Sequence, residues 1–167
     1  MKAAVRARAN IALVKYGGKA DVALNVPAVG SLSITLDSLW SETEVEFDAG
    51  LSSDMFSLNG QVCRERLGRV TECLNLLRSR AGVESFAQVI SRNNFPTGAG
   101  LASSASGFAA LTAAAAHALD LDLTPRDLSI IARQGSGSAA RSIFGGFVEM
   151  HVGSMADGSD SFAEPVL

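Results

Sequence analysis

Three short stretches gather the residue types that bind and move anions. The first is Asn93-Asn94-Phe95-Pro96-Thr97-Gly98-Ala99-Gly100-Leu101-Ala102-Ser103-Ser104-Ala105. Gly98 and Gly100 let the backbone turn tightly and approach a ligand with no Cβ in the way. Ser103 or Ser104 can cap the alanine-rich helix that follows. The first free N–H groups of that helix and its positive dipole end form an anion seat of the kind a nucleotide phosphate needs. An ordinary capped helix after a glycine turn would use the same residues. The second stretch, Lys15-Tyr16-Gly17-Gly18-Lys19-Ala20-Asp21, gathers two lysines, compact charges suited to phosphate. The third runs from Gly135 to Ser142. It offers Ser136 and Ser138, with hydroxyls beside flexible backbone, and Arg141, whose planar fork matches a carboxylate. A substrate carrying both phosphates and a carboxylate would use all three. Taken singly, Lys15 and Lys19 would also serve as surface charges, the serines as helix caps, and Arg141 as an ion-pair partner.

These stretches need a frame. Residues 4–14 alternate around Val5, Ala7, Ala9, Ile11 and Leu13 and predict a strand that delivers Lys15. Further strands are expected at Ser31–Leu36, at Thr43–Phe47 and at Phe86–Arg92, the last feeding the glycine loop. Phe56 to Val62 reads as a strand and a tight turn at Asn59-Gly60. From Val62 to Arg80 the period changes to helical, with Cys63, Leu67, Val70, Leu74 and Leu77 on one face and Gly82 as the stop. The arginines of this segment, Arg64 to Arg80, read as a solvated face from which one could reach a nucleotide. Ser103–Leu119 is predicted helical. Thr124-Pro125 opens another helix with a cap and a proline at its first position. Gly135 to Ser142 is expected to be a loop, and Phe147–Val152 a short strand. Strands clustered early among helices predict an α+β domain, with a parallel crossover sheet as the generic alternative.

Composition narrows the classes. The 167 residues are 47% hydrophobic and 19% charged, which describes one folded domain with a real core. A net charge of −3 argues against nucleic acid or an acidic membrane as the main partner. The apolar run Phe108–Leu119 is too short to cross a bilayer. His117 and His151 lack neighbours at ligand spacing and read as structural. Cys63 and Cys73, placed in one helix, would lie about 15 Å apart and could not bridge. Reduced thiols in a cytoplasmic protein follow.

The order of the motifs carries more than any one of them. Asn10-Ile11-Ala12-Leu13-Val14-Lys15-Tyr16, the stretch from Asn93 to Ala105, and Gly135 to Ser142 continuing to Gly145-Gly146-Phe147-Val148-Glu149 together closely resemble the mevalonate diphosphate decarboxylases. These belong to the GHMP kinase superfamily. The resemblance spans nearly the whole chain. It implies a two-lobed molecule whose N-terminal lobe is like domain 2 of ribosomal protein S5, with residues 1–167 as that lobe. It implies a reaction in which ATP phosphorylates the 3-hydroxyl of mevalonate 5-diphosphate, and loss of that phosphate and of carbon dioxide gives isopentenyl diphosphate. By that likeness Asn94, Pro96, Gly98, Gly100, Leu101, Ala102, Ser103 and Ser104 hold ATP, with Ser104 near the transferring phosphate and Mg2+. Lys15, Tyr16 and Lys19 line the diphosphate side. Ser136 and Ser138 hold the substrate, Arg141 grips its carboxylate, and Asn10 orients Arg141. Lys15, Ser104 and Arg141 are the implied catalytic groups.

Two departures stand out. The family usually has a tryptophan where this chain has Gly17, a change that would alter substrate choice, for example towards a monophosphate. The family's catalytic aspartate comes from a C-terminal lobe, and Asp21, Asp120, Asp122 and Asp127 sit in no matching motif. The expectation is therefore an N-terminal lobe, inactive alone, that exposes its interface and forms a homodimer. Competing readings are a sister kinase that does not decarboxylate, a non-catalytic nucleotide-binding module, and an S5-like RNA-binding domain, which the acidic balance disfavours.

Overall fold

The computed structural model describes residues 1–15, 17–96 and 103–166. Its backbone is one long strand, β4 (Ser31–Asp48), paired antiparallel along almost its whole length with β1 (Lys2–Val14). On its other edge the C-terminal part of β4 pairs with β7 (Phe86–Asn93), and residues 31–34 pair with β8 (Phe147–Met150). The sheet extends past β8 to β9 (Ala163–Pro165). Past β7 it continues to the hairpin of β5 (Met55–Leu58) and β6 (Gln61–Val62). Only β5 and β7 run parallel in this seven-stranded sheet. The domain is thus α+β, as its sequence predicts, with the crossover alternative confined to that single pair. A separate small hairpin joins β2 (Lys19–Asp21) to β3 (Val26–Pro27).

Alternation along β4 decides which side is core. Ser41, Thr43, Val45 and Phe47 are buried, while Glu42, Glu44 and Glu46 face outward. There they meet Lys2, Arg6 and Arg92 in an exposed ion-pair ladder. Such pairs contribute little to stability, but they keep this face of the sheet soluble. The inner face carries α1 (Leu67–Ala81), α2 (Ser103–Ala118) and α3 (Pro125–Gly135). Helix α2 is buried nearly all round, and its small side chains at Ala105, Ala109, Ala110, Ala114 and Ala115 let it lie close to β1 and β4.

Several expectations are corrected. The strands expected at Ser31–Leu36 and Thr43–Phe47 are one strand, whose pairing with β1 shifts register twice: once between Ala12 and Val14, and more widely where Arg8 faces Trp40 but Asn10 faces Thr35. The alternation fails there because β4 bulges over residues 36–39. Cys63 precedes the helix, which opens with a 3-10 turn at Arg64–Arg66; only Cys73 lies inside α1. Arg78 is no part of a solvated face. It is buried against Asp54, which also accepts the amide N–H of Ala87 at 2.8 Å. The expected loop after Gly135 is a 3-10 helix, Gly137–Ile143.

Candidate active site

Local chemistry places each functional segment. Helix α3 starts on a full capping box, with Thr124 accepting from the Asp127 amide and the Asp127 carboxylate accepting in return. It ends at Gly135, where a Cβ would lie 2.3 Å from Phe108 Cδ1. The 3-10 helix that follows turns Ser138 and Arg141 back toward the small hairpin.

There a cleft of about 420 Å³ is lined by Lys15, Gly17, Gly18 and Lys19 on one wall and by Ser136, Gly137, Ser138 and Arg141 on the other. Ser31, Asn25, Pro27, Val29 and Met150 complete it, and no carboxylate lines it among the described residues. Lys15 and Lys19 are exposed, whereas Ser136 and Arg141 are buried. Arg141 donates through Nη1 to Ser31 Oγ, and its Nη2 lies 3.5 Å from Asn10 Oδ1. Burial lowers the pKa of Arg141, and no ion pair to it is found among the described residues. Asn10, also buried, donates to Ser138 O at 3.0 Å and to Ser142 Oγ at 2.8 Å. It thereby fixes the turn that presents Arg141.

A second cleft, of about 230 Å³, lies beside the start of α2 and is lined by Phe56, Leu58, Arg66, Arg69, Asn93, Ser103 and Ser104. Arg69 stacks its guanidinium 4.8 Å from the Phe108 ring centroid and donates to Gly135 O at 2.6 Å. The linings of the two clefts are linked by a hydrogen bond, Ser136 Oγ donating to Ser104 Oγ at 3.3 Å. Helix α2 is tied to the sheet by Ser106, whose hydroxyl lies 2.7 Å from that of Ser41.

The structure thus brings together Asn10, Lys15, Lys19, Ser103, Ser104, Ser136, Ser138 and Arg141. Asn94 has both ends of its amide engaged by the β4 bulge, donating to Ser38 O and accepting from the Trp40 amide. Pro96 is the last described residue before the glycine loop. Tyr16, Gly98, Gly100, Leu101 and Ala102 lie outside the described residues. Ser31 and Asn25 join the site without having been singled out, whereas Arg66 and Arg69 come from the arginine-bearing segment from which one residue was expected to reach a nucleotide. Ser31 follows Gly30 at a strand start, which was the one local hint.

Fold and site together define a mixed α/β domain of the GHMP kinase fold, in which the start of α2 and the segment Ser136–Arg141 come together beside a cleft lined by two lysines and an arginine. The family described as the diphosphomevalonate decarboxylase-like N-terminal domain matches residues 7–163, and the chain belongs to it. It is 45% identical to the diphosphomevalonate decarboxylase of Gibberella zeae, over 99% of this chain and 47% of that protein. The mevalonate diphosphate decarboxylase of Enterococcus faecalis superposes with a TM-score of 0.92 at 50% identity, covering 99% of this chain and 51% of that one. A solved structure of MDDEF in complex with MVAPP, AMPPCP and magnesium superposes with a TM-score of 0.91 at 50% identity, over 99% and 50% of the two chains. The chain spans about half the length of the relatives it matches.

Proposed function

We propose that this chain is the ATP- and substrate-binding lobe of an ATP-dependent mevalonate 5-diphosphate decarboxylase, a cytoplasmic enzyme of isoprenoid biosynthesis. The observation that carries the reading is the cleft of Lys15, Lys19 and Arg141, free of carboxylates among its described lining and joined to the start of α2 through Ser136 and Ser104. Lys15 and Lys19 neutralise the diphosphate, Ser136 and Ser138 hold its oxygens, and Arg141 takes the carboxylate in its planar fork. Asn10 holds Arg141 in place. The nucleotide lies along the second cleft, with its phosphates on Ser103, Ser104 and the N–H groups of α2. Fixing both reactants across one contact supplies the positioning on which phosphoryl transfer depends. A magnesium ion fits this donor set. No group of three or more His, Cys, Asp or Glu side chains gathers among the described residues, and Mg2+ that rides on phosphates and water needs few protein ligands. Ser104 would supply one, and the ion would neutralise charge on the phosphates.

The remaining half of the relatives' length is a second lobe. Its seat is the apolar row of Ile11, Ile34 and Phe147, in register across β1, β4 and β8, with Ile11 and Phe147 exposed and Ile34 half-buried between them. Left alone, the same face would pair two copies as a homodimer; a monomer in sedimentation at high concentration removes that part of the reading. The open space at Gly17, where a Cβ would meet nothing within 4 Å, supports a second reading in which a differently phosphorylated mevalonate is the substrate.

The test is release of ADP and carbon dioxide from ATP and mevalonate 5-diphosphate by the product of the full reading frame. Equal release supports the decarboxylase. ADP alone selects a kinase, and neither product overturns the proposal and makes the monophosphate the next substrate.

A further inference from the structure

Arg133 is the largest fully buried side chain among the described residues, yet it touches neither cleft. It projects from α3 into the join between two loops that are remote in sequence. Its Nε donates to Leu24 O at 3.0 Å, in the turn between β2 and β3. Its Nη1 donates to Gly158 O at 2.8 Å and to Ser161 O, in the loop between β8 and β9. Its Nη2 lies against Gly158, where a Cβ would stand 2.7 Å away and where φ is +66°. The partners are carbonyls. Asp160 and Asp21 attract the cation only from a distance, and burial outweighs them in lowering its pKa. A buried cation held this way is a costly means of packing, so what it holds is informative.

It holds the lysine wall of the anion cleft. Residues 17–30 carry Lys19 and lead back to Lys15, and internally they are ordered by the pairing of β2 with β3, the Ala28 amide donating to Gly18 O, and the turn bonds of Asn25 to Val22 O and Leu24 to Asp21 Oδ1. Two ties run from this hairpin to the end of α3: Arg133 to Leu24 O, and Asn25 Nδ2 to Gln134 O at 2.6 Å. The residues immediately after Arg133 and Gln134 form the opposite wall, Ser136 to Arg141. Arg133 therefore sits where the two walls share one root. We infer that Arg133 is a positioning residue that pegs the Lys19 hairpin to α3 and so sets the width of the anion cleft, an inference that rests on the substrate reading above.

The test uses Arg133→Met, which keeps the bulk and removes the donors, and Asn25→Gly, which removes the second tie. Asn25 has φ +53°, a conformation that glycine adopts without strain, so this variant keeps the test alive if Arg133→Met fails to fold; because Asn25 also lines the cleft, it is read by amide exchange alone. Two readouts are taken on the full-length protein: amide exchange of residues 19–28, and KM for mevalonate 5-diphosphate and for ATP beside kcat. The expected result is faster exchange confined to the hairpin, and a rise of about tenfold in KM for the diphosphate substrate with KM for ATP within about twofold. Arg133→Lys, which keeps one donor and the charge, should restore part of that loss. Unchanged exchange overturns the peg whatever the substrate proves to be. Faster exchange with both KM values raised alike also overturns it, since the residue would then be merely structural. If the parent protein does not turn over mevalonate 5-diphosphate, the substrate reading fails on its own. The peg then stands or falls on whether Arg133→Met loosens the hairpin and weakens binding of inorganic pyrophosphate.

Discussion

Arg141 should make the unliganded protein less stable than it could be. Arg141 is 6% exposed as a residue, and the described partners of its guanidinium are one hydroxyl and the edge of one amide. Replacing it with methionine keeps the apolar stem and deletes the charge. A buried ion costs several kcal/mol before compensation. Allowing for the bonds to Ser31 and Asn10, the net gain from Arg141→Met is about 1–3 kcal/mol. For a domain of this size that is a rise in Tm of roughly 2–10 °C. Pyrophosphate should act in the opposite sense. At a hundredfold excess over its dissociation constant, a ligand stabilises the parent by about 2.7 kcal/mol, and the variant should lose most of that gain. The assay is thermal melting by circular dichroism, with and without pyrophosphate, beside the decarboxylation assay. A variant that keeps its native spectrum yet melts below the parent without ligand would refute the argument, because Arg141 would then be contributing to the fold instead of straining it.

Breaking the buried pair of Asp54 and Arg78 should be severe: Asp54→Ala leaves the guanidinium without its carboxylate and should cost about 3–5 kcal/mol in denaturant melts. Affinity for pyrophosphate should be unchanged in whatever fraction remains folded. Thr124→Ala removes the cap of α3 and should cost about 1 kcal/mol. The Thr124 hydroxyl holds Asp127 below its ordinary pKa. That contribution is therefore fully present above the usual carboxylate range and lost as the pH falls through the lowered value. The difference in stability between parent and Thr124→Ala should accordingly shrink in acid. Cys73 is buried and its pKa is raised to about 11 by desolvation. A thiol reagent at neutral pH should modify Cys63 alone in the native protein and both thiols after unfolding.

Much of this architecture is written in neighbouring residues. The run from Val5 to Leu13, the Asn59-Gly60 turn with both residues at positive φ, and the Thr124-Pro125 start of α3 are each specified within a few positions. They are visible without the fold. The continuity of β4 was not, because the bulge at residues 36–39 breaks the very alternation by which a strand is recognised. Arg78 looked like its solvent-facing neighbours because its partner, Asp54, comes from a turn 24 positions away. Arg133 was hidden for the same reason, since the carbonyls that hold it lie 25, 28 and 109 positions off. The serines and Arg141 were legible as a set because their order along the chain follows a known pattern. How they meet is a matter of tertiary distance.

The bulge in β4 also governs reach. Ser31, at one end of the strand, holds Arg141, and Ser41, beyond the bulge, holds the first turn of α2. The start of α2 and the segment after α3 complete an arch that closes where Ser136 touches Ser104. The gap at the crown of this arch is set by the spacing of its feet, and that spacing is set by how residues 36–39 fold out of the strand. Asn94 clips that fold in place at the mouth of the glycine loop. A lineage could therefore lengthen or shorten the span between the two clefts by altering this one kink, leaving every side chain that lines them untouched.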